Sequence, residues 1–512
     1  MKVQRAMQTR MRINPVLFLL ATFLLAGAVL GADLAWDTDS GTSGAQGGDG
    51  TWNTSISTWW DGSANVSWNN STPDVAEFYD GPGTVTLGES ITAQKLWFYD
   101  PDYTIAGTDT LTINAGGIEN EGGGSTMTFD VPLHLAADQT WQHRAGNDWR
   151  VKKPLSGPGK ISTDGGGANP TLILEADNSG WSGGLDANHV LHIGHDNALG
   201  TGQLDISGTV QAINGGHTVA NSVYKWVPNS DATITLGGSE RLEFAGDFTI
   251  DAGINPHHLD FNVTNTADTE FSGVIHQDAG DTWARDVRKT GSGQLIFSGD
   301  NTYDGTTWVQ EGTLVVNGTP STGDGYMVGG AGSAARLEGN GTINLAAGSS
   351  LTIDADGTLA PGESVGQLSV ADGDLIFSAD STFDIEVSGI ATGGIDYDQL
   401  VVSGGSVILD GALGLTVTGS DSAAIGDALT LIDNQGGATT TGSFAGLPDD
   451  SFIGTFYGQD WNITYDAITG GALDGGNDVA LYATPEPGGL LALLALLACL
   501  GVRRRNVVSA NR

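Results

Sequence analysis

The pentapeptide Gly362-Glu363-Ser364-Val365-Gly366 has the Gly-x-Ser-x-Gly spacing of a serine nucleophile. That spacing activates a hydroxyl on a sharp strand-to-helix turn, with an oxyanion hole and a downstream acid and histidine. The last histidine of the chain, His276, precedes the pentapeptide, and no helical pattern follows it. The sequence therefore predicts a turn at these residues rather than a catalytic serine.

Two groups of closely spaced histidines have the residue type of a metal site. His189, His192 and His195 form one group, and His257 and His258 the other. On a strand, the first and third histidines share a face but lie about 20 Å apart, while His192 points the other way. Zinc needs its ligand atoms at about 2.0–2.3 Å, so we predict no metal site at either group.

Acid-rich turns have the oxygen chemistry that Ca²⁺ prefers. They are Asp37–Asp39, Asp354–Gly357 and Asp372–Asp374. None has the spacing of a helix-loop-helix calcium loop or of a glycine-rich calcium repeat. Solvated turn residues are the favoured interpretation, with weak Ca²⁺ binding as the alternative, and we expect no other cofactor.

Two basic clusters stand out because the rest of the chain is acidic. They are Arg150, Lys152 and Lys153, and Arg285, Arg288 and Lys289. Polysaccharide lyases use a basic residue as the base and cations to neutralise a uronate, so these clusters are the one candidate catalytic group. The favoured interpretation is that they are surface charges, with Lys289 at the start of a repeat unit. We therefore predict no catalytic residues.

Five tryptophans near the N-terminus also have two interpretations. They are Trp36, Trp52, Trp59, Trp60 and Trp68. Indole rings stack on sugars, but they also fill cores, and packing is the favoured interpretation.

The charge of the chain excludes several classes of partner. Residues 1–32 and 488–512 hold eight of the 20 basic residues and none of the 60 acidic ones, so the span between them has a net charge of −48. Nucleic-acid phosphates need lysine and arginine, so we expect no nucleic-acid partner. The single cysteine, Cys499, lies near the C-terminus, which leaves the rest of the chain without disulfides.

Short strands separated by glycine, asparagine and aspartate turns recur along the chain. In most of them apolar residues alternate with threonine, which predicts one buried and one solvated face. Examples are Gly83–Leu87, Asp109–Ile113, Thr171–Leu174, Ala232–Leu236, Gly312–Val316, Ser349–Ile353 and Gly405–Leu409. Strands this numerous and this similar predict a repeat architecture in which each unit is stabilised by stacking on its neighbours.

The clearest unit runs from Lys289 to Gly318. It resembles the autotransporter-associated β-strand repeat, which has a strand, Asn-Thr-Tyr-x-Gly, another strand and Gly-Thr-Leu. The matching residues are Asn301, Tyr303, Gly305, Gly312, Thr313 and Leu314. We expect Asn301 and Gly305 to turn the chain, and the ring of Tyr303 to be buried with its hydroxyl in water. The core-facing residues of the unit are predicted to be Leu295, Phe297, Val309, Leu314 and Val316.

A degenerate copy of this unit runs from Gly157 to Leu204. There Asn178, Trp181 and Gly183 take the place of Asn-Thr-Tyr-x-Gly, and Ala198–Gly202 resembles the Ala-Leu-Gly ending common in the family. The late segments Gly357–Gly362, Tyr397–Leu400 and Gly442–Phe444 resemble the region that closes such repeats. The resemblance implies a right-handed parallel β-helix, with about 20 residues in each rung and about 20 rungs.

The C-terminal residues resemble a sorting signal. Pro485, Glu486 and Pro487 precede the apolar run Gly488–Val502, and Arg503, Arg504 and Arg505 follow it. At ~1.5 Å per residue this run spans about 22 Å, less than the roughly 30 Å hydrocarbon core of a bilayer, which predicts a marginal, transient transmembrane helix. The order of these parts resembles the PEP-CTERM signal, which in that family is cut by an exosortase. A permanent tail anchor is the alternative.

The N-terminal residues have the layout of a secretory signal peptide. Lys2, Arg5, Arg10 and Arg12 precede the apolar stretch Val16–Leu30, which ends in small residues. Cleavage patterns end at Ala28 and at Ala32. Autotransporters end in a membrane β-barrel, and the sorting tail stands in that place here, so we expect the repeat without self-translocation.

These observations together predict an all-β, exported protein. The expected domains are a signal peptide (1–32), a Trp-rich entry module (33–145), the autotransporter-associated repeats (146–335), a closing β-solenoid region (336–484) and the PEP-CTERM signal (485–512). We expect a non-enzymatic, structural or adhesive protein at the cell surface or outside the cell, after a transient inner-membrane stage. The resemblance to PEP-CTERM proteins implies a polysaccharide or biofilm setting. Its expected partners are an exosortase-type enzyme and extracellular polysaccharide. The alternative is a polysaccharide-active lyase or hydrolase on the same β-helix.

Overall fold

The computed structural model describes residues 31–485, except 101, 123–125, 145, 147, 166–168, 228–229, 252–256 and 281–282. Every regular element in these residues is a β-strand. No helix long and apolar enough to span a bilayer occurs in this part of the chain. The predicted helices of the signal peptide, Val16–Leu30, and of the sorting tail, Gly488–Val502, lie outside the described residues.

The chain winds repeatedly around three flat faces, and each strand pairs in parallel with the strand one turn later. We number the strands β1 to β51 in chain order and call the faces I, II and III in the order in which the chain crosses them. Face I contains β1 Asp33–Trp36, β5 Val75–Phe78, β8 Lys95–Phe98, β11 Ile118–Asn120, β14 Gln139–His143, β17 Ile161–Asp164, β19 Leu185–Ala187, β21 Leu204–Ile206, β24 Val223–Trp226, β27 Phe248–Asp251, β30 Ile275–Gln277, β35 Ser321–Thr322, β38 Thr342–Leu345, β41 Gln367–Ala371, β44 Gln399–Ser403 and β47 Ala428–Asn434.

Faces II and III complete each turn. Face II contains β2 Gly50–Trp52, β6 Thr84–Leu87, β9 Thr104–Ala106, β12 Thr126–Asp130, β15 Asp148–Val151, β18 Thr171–Leu174, β20 Val190–Ile193, β22 Thr209–Ala212, β25 Ala232–Leu236, β28 Leu259–Val263, β31 Val287–Thr290, β33 Thr307–Val309, β36 Gly325–Val328, β39 Ser350–Ile353, β42 Asp374–Phe377, β45 Val407–Leu409 and β48 Thr440–Gly442. Face III contains β7 Ile91–Ala93, β10 Leu111–Ile113, β13 Leu133–Leu135, β16 Leu155–Ser156, β23 His217–Val219, β26 Leu242–Phe244, β29 Thr269–Phe271, β32 Gln294–Phe297, β34 Gly312–Val316, β37 Ala335–Gly339, β40 Gly357–Pro361, β43 Thr382–Val387 and β46 Ala412–Val417.

The core lies between the three faces and is built by alternation along each strand. In β12, for example, Met127 and Phe129 are fully buried, while the threonines and the aspartate between and beside them are partly exposed. Aromatic side chains stack from one turn to the next, as Phe78 does on Phe98 at 4.7 Å between ring centroids. Burial of each such side chain contributes roughly 1.5–3 kcal/mol, so stability accumulates along the stack. The prediction of an all-β parallel β-helix is confirmed.

Several turns of the helix contain more residues than predicted, and the described residues form fewer turns than predicted. Leu185 pairs with Leu204, close to the expected spacing of about 20 residues, whereas Ile408 pairs with Thr441, which is a much longer turn. Among the described residues, face II is continuous from β2 to β48 and has 17 strands, compared with the predicted number of about 20. At about 4.8 Å per strand the stack is roughly 80 Å long, not the roughly 100 Å that a uniform short rung implies.

Antiparallel strands close both ends of the stack. At the N-terminal end, β3 Trp59–Trp60 pairs with β1, and β4 Asn65–Val66 pairs with β3. At the C-terminal end, β49 Phe452–Phe456, β50 Gln459–Ala467 and β51 Asp478–Thr484 extend face I beyond β47. These caps cover the last turns of the core.

Packing accounts for four of the five N-terminal tryptophans. The buried indoles are Trp36, Trp52, Trp59 and Trp68. The ring of Trp59 lies 4.7–5.1 Å from the rings of the other three. Trp60 is different, because its side chain is partly exposed on the outer side of face I.

Candidate functional site

The predicted repeat unit crosses faces II and III twice and replaces one strand of face I by a turn. Strands β31 and β32 belong to one turn of the helix, and β33 and β34 to the next. Between them, the Asn301 carboxamide oxygen accepts the Ile275 amide hydrogen bond at 2.8 Å. The Thr302 amide donates to the Ile275 carbonyl, and the Ser321 amide donates to the Asn301 carbonyl. The turn therefore joins β30 to β35, the two strands between which the ladder of face I is interrupted.

Tyr303 is buried more deeply than the sequence suggested. Its ring and its hydroxyl are both fully buried, and the hydroxyl lies 2.6 Å from the Thr307 hydroxyl. Burial raises the pKa of Tyr303 well above its ordinary value. The expectation of a water-exposed hydroxyl is wrong, because a neighbouring threonine takes the place of water.

The two motif glycines lie where a side chain does not fit. A Cβ at Gly305 would lie 2.3 Å from the main-chain carbonyl carbon of Arg285, one turn earlier. Gly312 has a φ of 71°, a left-handed conformation that favours glycine. The predicted core residues of this unit, with the motif residue Leu314 among them, are buried as expected: Leu295, Phe297, Val309, Leu314 and Val316. Thr313, next to Leu314, lies on the partly exposed side of β34.

The degenerate copy makes the same contact on a different face. The buried Asn178 carboxamide accepts from the Leu155 amide at 2.8 Å and donates to the Ala198 carbonyl at 2.6 Å. Trp181 is fully buried and donates from its indole nitrogen to the Gly159 carbonyl at 2.8 Å. In the stack, this turn lies next to β16, which is the last strand of the first ladder of face III. A buried asparagine therefore marks the interruption in face III and the one in face I.

The basic clusters do not form a catalytic groove. Arg150 donates to Glu175 at 2.6 and 3.0 Å, and Lys153 lies 3.6 Å from Asp130. Arg288 donates to Asp260. The clusters lie near β15 and β31, six strand spacings apart on face II, which is roughly 29 Å. A hypothetical active site using both clusters has no geometric support here.

Lys289 points into the core, which sequence reasoning missed. It is 1% exposed, and its ammonium donates to the carbonyls of Thr290, Gly291 and Glu311 at 2.6–3.0 Å. Burial lowers its pKa to about 8. Arg285 is buried to the same extent, so the interpretation of this cluster as surface charge is wrong for Arg285. The signal in the sequence was Val287. It lies two residues before Lys289 on the same strand, so both side chains are on the inner side.

The Gly-x-Ser-x-Gly residues form a corner between two strands. They join β40 to β41, and the exposed Ser364 lies at the tip of this corner. The Gly366 amide donates to the buried Asp398 carboxylate at 2.8 Å. The prediction of a turn is confirmed, since a nucleophile elbow needs a helix after the serine.

The histidines and acidic turns take part in local hydrogen bonds. A His192 ring nitrogen lies 2.6 Å from the Gln211 carboxamide nitrogen, and His195 accepts from the Asn197 amide. Asp37 is buried and accepts from Asn65. Within the described ranges, no group of three or more histidine, cysteine or acidic side chains is arranged to hold a metal ion. Weak Ca²⁺ binding stays a prediction.

Beside Trp60, which sequence reasoning named, the outer side of face I carries three aromatic residues that it missed: Tyr79, Trp97 and Tyr99. Trp60, Tyr79, Trp97 and Tyr99 are partly exposed, and they lie near the N-terminal cap. In Lys95-Leu-Trp-Phe-Tyr99 both strand sides carry large apolar residues, so alternation alone does not separate the core side from the outer side.

Comparison with known proteins identifies the repeat. Residues 287–316 match the family described as passenger-associated-transport-repeat. The chain carries an autotransporter-type repeat. This match overlaps the predicted unit 289–318 and contains all six motif residues.

Two kinds of curated protein are similar over longer stretches. "Adhesin BmaC autotransporter" from Brucella suis biovar 1 (strain 1330) is 24% identical over 416 residues, which cover 63% of this chain and 12% of the adhesin. An "Extracellular serine protease" of Serratia marcescens is 29% identical over 168 residues, covering 31% of this chain and 15% of the protease. A second protein of that name is 47% identical over 45 residues. The matched part of the chain therefore spans only 4–15% of the length of these relatives.

Proposed function

We propose that this protein is an exported, non-enzymatic rod that acts as a structural or adhesive scaffold at the cell surface or outside the cell. The observation that carries the proposal is the continuous parallel stack, roughly 80 Å long, with an autotransporter-type repeat within it. The similarity to an adhesin autotransporter and to extracellular proteases supports export. The acidic composition disfavours contact with nucleic acid, and the resemblance of the C-terminal residues to the PEP-CTERM signal supports a role in extracellular polysaccharide or biofilm.

The absence of catalytic activity is part of the proposal. Its support is the separation of the two basic clusters by roughly 29 Å, with Arg150 and Arg288 each paired with a carboxylate. The position of Ser364 on a strand-to-strand corner supports this part of the proposal, because a nucleophile elbow needs a helix after the serine. An adhesive or spacer role needs only the rigid surface of the stack.

Delivery by two removable signals completes the proposal. The structure describes Pro485, and the rest of the sorting signal, Glu486 to Arg512, lies outside the described residues. At the other end, the Ala32 carbonyl accepts from the Val75 amide and the Ala32 amide donates to Asp74. Cleavage after Ala28 keeps both hydrogen bonds, whereas cleavage after Ala32 removes Ala32 and therefore both hydrogen bonds. This favours the earlier site.

Mass spectrometry of both termini tests this proposal. The protein is expressed from the full-length sequence and recovered from cells and from the medium. We expect an N-terminus at Val29 and a C-terminus at or near Pro485–Pro487 in the surface or medium fraction. The double variant Pro485→Ala, Pro487→Ala should keep Arg512 and stay in the inner membrane. The matched control Pro448→Ala, a proline in the C-terminal part of the stack, should be processed normally. Protein in the medium that still ends at Arg512 contradicts the proposed sorting.

A further inference from the structure

The outer side of face I carries a continuous strip of aromatic rings beside the N-terminal cap. The Tyr79 and Tyr99 rings stack at 4.2 Å with 10° between their planes, and Tyr99 stacks on Trp97 at 4.9 Å. These rings point away from the core, because their strand neighbours Phe78 and Phe98 fill it. A solvated sheet surface does not need stacked rings, so the strip calls for a function.

A cleft of about 560 Å³ lies next to this strip, and Ala35, Trp60, Glu77 and the loop residues 43–46 line it. Register places Trp60, Ala35, Glu77 and Trp97 in one row across neighbouring strands of the outer surface. The methyl group of Ala35 leaves a gap between the indole of Trp60 and the carboxylate of Glu77. Tyr79 joins this gap to the aromatic strip, since it lines the cleft and stacks on Tyr99. The volume lies in the range of small-ligand sites.

Hydrogen-bond acceptors surround the cleft. Its carboxylates are those of Asp33, Asp61, Glu77 and Asp80. Hydrogen bonds from Ala64 and Ser63 lower the pKa of Asp61 and keep it ionised. Burial raises the pKa of Glu77, and the Tyr79 hydroxyl donates to it at 3.0 Å. Carboxylates accept hydrogen bonds from hydroxyl groups and repel anions.

The aromatic strip outside the cleft already carries a cation. The face of Trp97 is already covered by the Lys95 ammonium, 4.0 Å from the ring centroid. That ammonium is bonded to Glu119, which also accepts from Arg144 at 2.5 Å. The cleft itself is lined by the aromatic residues Trp60 and Tyr79 together with the carboxylates, and the cationic probe of the experiment below tests whether it prefers a cation.

We infer that this cleft binds a segment of an uncharged hexose or N-acetylhexosamine chain. A pyranose presents C–H groups on its ring faces, which pack against aromatic rings, and hydroxyl donors on its edge, which match the carboxylates. The charge of the cleft rejects uronates and sulfated or phosphorylated glycans. The inference deepens the proposed association with extracellular polysaccharide and rests on it.

Isothermal titration of the purified mature protein tests the inference with four probes. The neutral probes are cellohexaose and the hexamer of N-acetylglucosamine; a galacturonate hexamer represents anions and a glucosamine hexamer represents cations. We expect saturable binding of at least one neutral probe. Tyr79→Ala should weaken it roughly tenfold or more, and Ala35→Leu, which fills the cleft and keeps every ring, should abolish it.

Two further variants separate the loss of a site from the loss of a fold. Tyr79→Phe keeps the ring and should keep the affinity within about threefold. Trp226→Ala removes a tryptophan that is 55% exposed on the same face but far from the cleft, and it should change nothing. Circular dichroism of each variant should match the wild type.

Several results overturn the inference. They are no binding of either neutral probe, binding of the charged probes only, and neutral binding that Ala35→Leu and Tyr79→Ala leave unchanged. None of these results alters the termini found by mass spectrometry, so this inference fails independently of the proposed export and sorting. Conversely, wrong termini with intact sugar binding refute only the sorting.

Discussion

Replacing Asn178 with leucine is expected to destabilise the stack more than the same change at Asn301. Both side chains are fully buried and both accept a main-chain amide of the preceding turn at 2.8 Å. The Asn178 amide group also donates to the Ala198 carbonyl, whereas the Asn301 amide nitrogen has no hydrogen-bond partner among the described residues. Leucine has a similar size and bonds to neither group.

The magnitude follows from the number of buried polar groups left without a partner. Each such group costs about 1–3 kcal/mol. Asn178→Leu leaves two, the Leu155 amide and the Ala198 carbonyl, so we expect a loss of about 2–6 kcal/mol. Asn301→Leu leaves only the Ile275 amide, so we expect about 1–3 kcal/mol, reduced further because an unpaired amide is removed.

Urea unfolding followed by far-ultraviolet circular dichroism at pH 7 measures both losses. Hydrogen exchange read by mass spectrometry locates them, and peptides containing Leu155 in one variant and Ile275 in the other should exchange faster. Equal losses for the two variants, or a larger loss at position 301, would refute the reasoning from unpaired groups. Unchanged exchange at Leu155 in Asn178→Leu would refute the role of this asparagine at the break in face III.

Three further changes have outcomes set by the structure. Trp59→Ala empties the centre of the N-terminal cap and should lower the free energy of unfolding by about 3–5 kcal/mol, and a loss no larger than that of the exposed Trp226→Ala contradicts the packing interpretation. Gly305→Ala forces a Cβ into the main chain of the neighbouring turn and should cost about 1–3 kcal/mol in urea unfolding, whereas Gly280→Ala, with open space around it, should stay within about 0.5 kcal/mol. Lys289 has a pKa of about 8 against an ordinary 10.5, so between these values the unfolded chain binds a proton that the folded chain does not, and stability rises with pH. The free energy of unfolding of the wild type, relative to that of Lys289→Met, should rise by about 3 kcal/mol between pH 7 and 11. If this difference in free energy stays constant across the range, the three carbonyl contacts offset the effect of burial on the pKa.

The strands and the turn motif followed from sequence because their signals are local. Thr171–Leu174 and Ala232–Leu236 have the predicted bounds, and the strand predicted at Gly405–Leu409 begins two residues later, at Val407. Alternation and turn residues act within a few positions, so they need no knowledge of the neighbouring turn. The burial of Leu295 and Val309 was predicted in the same way.

Contacts between turns were not predictable, because the length of a turn differs along the stack, as the pairing of Leu185 with Leu204 and of Ile408 with Thr441 shows. The partner of any residue depends on that length, so the row that places Ala35 between Trp60 and Glu77 was hidden in the sequence. For the same reason, the contact of Lys289 with the Glu311 carbonyl was missed, whereas its other two carbonyl partners, Thr290 and Gly291, directly follow it in sequence.

The amino-acid sequence by itself determined short strands with one buried face, separated by asparagine and glycine turns, since side-chain alternation and backbone freedom are properties of neighbouring residues. The parallel stack was implied only by the family resemblance. The tertiary structure decided which side of a doubly apolar strand faces water and which lysine is buried. It also decided where a small residue opens a cleft. These outcomes depend on register between turns, which is set only when the whole core packs.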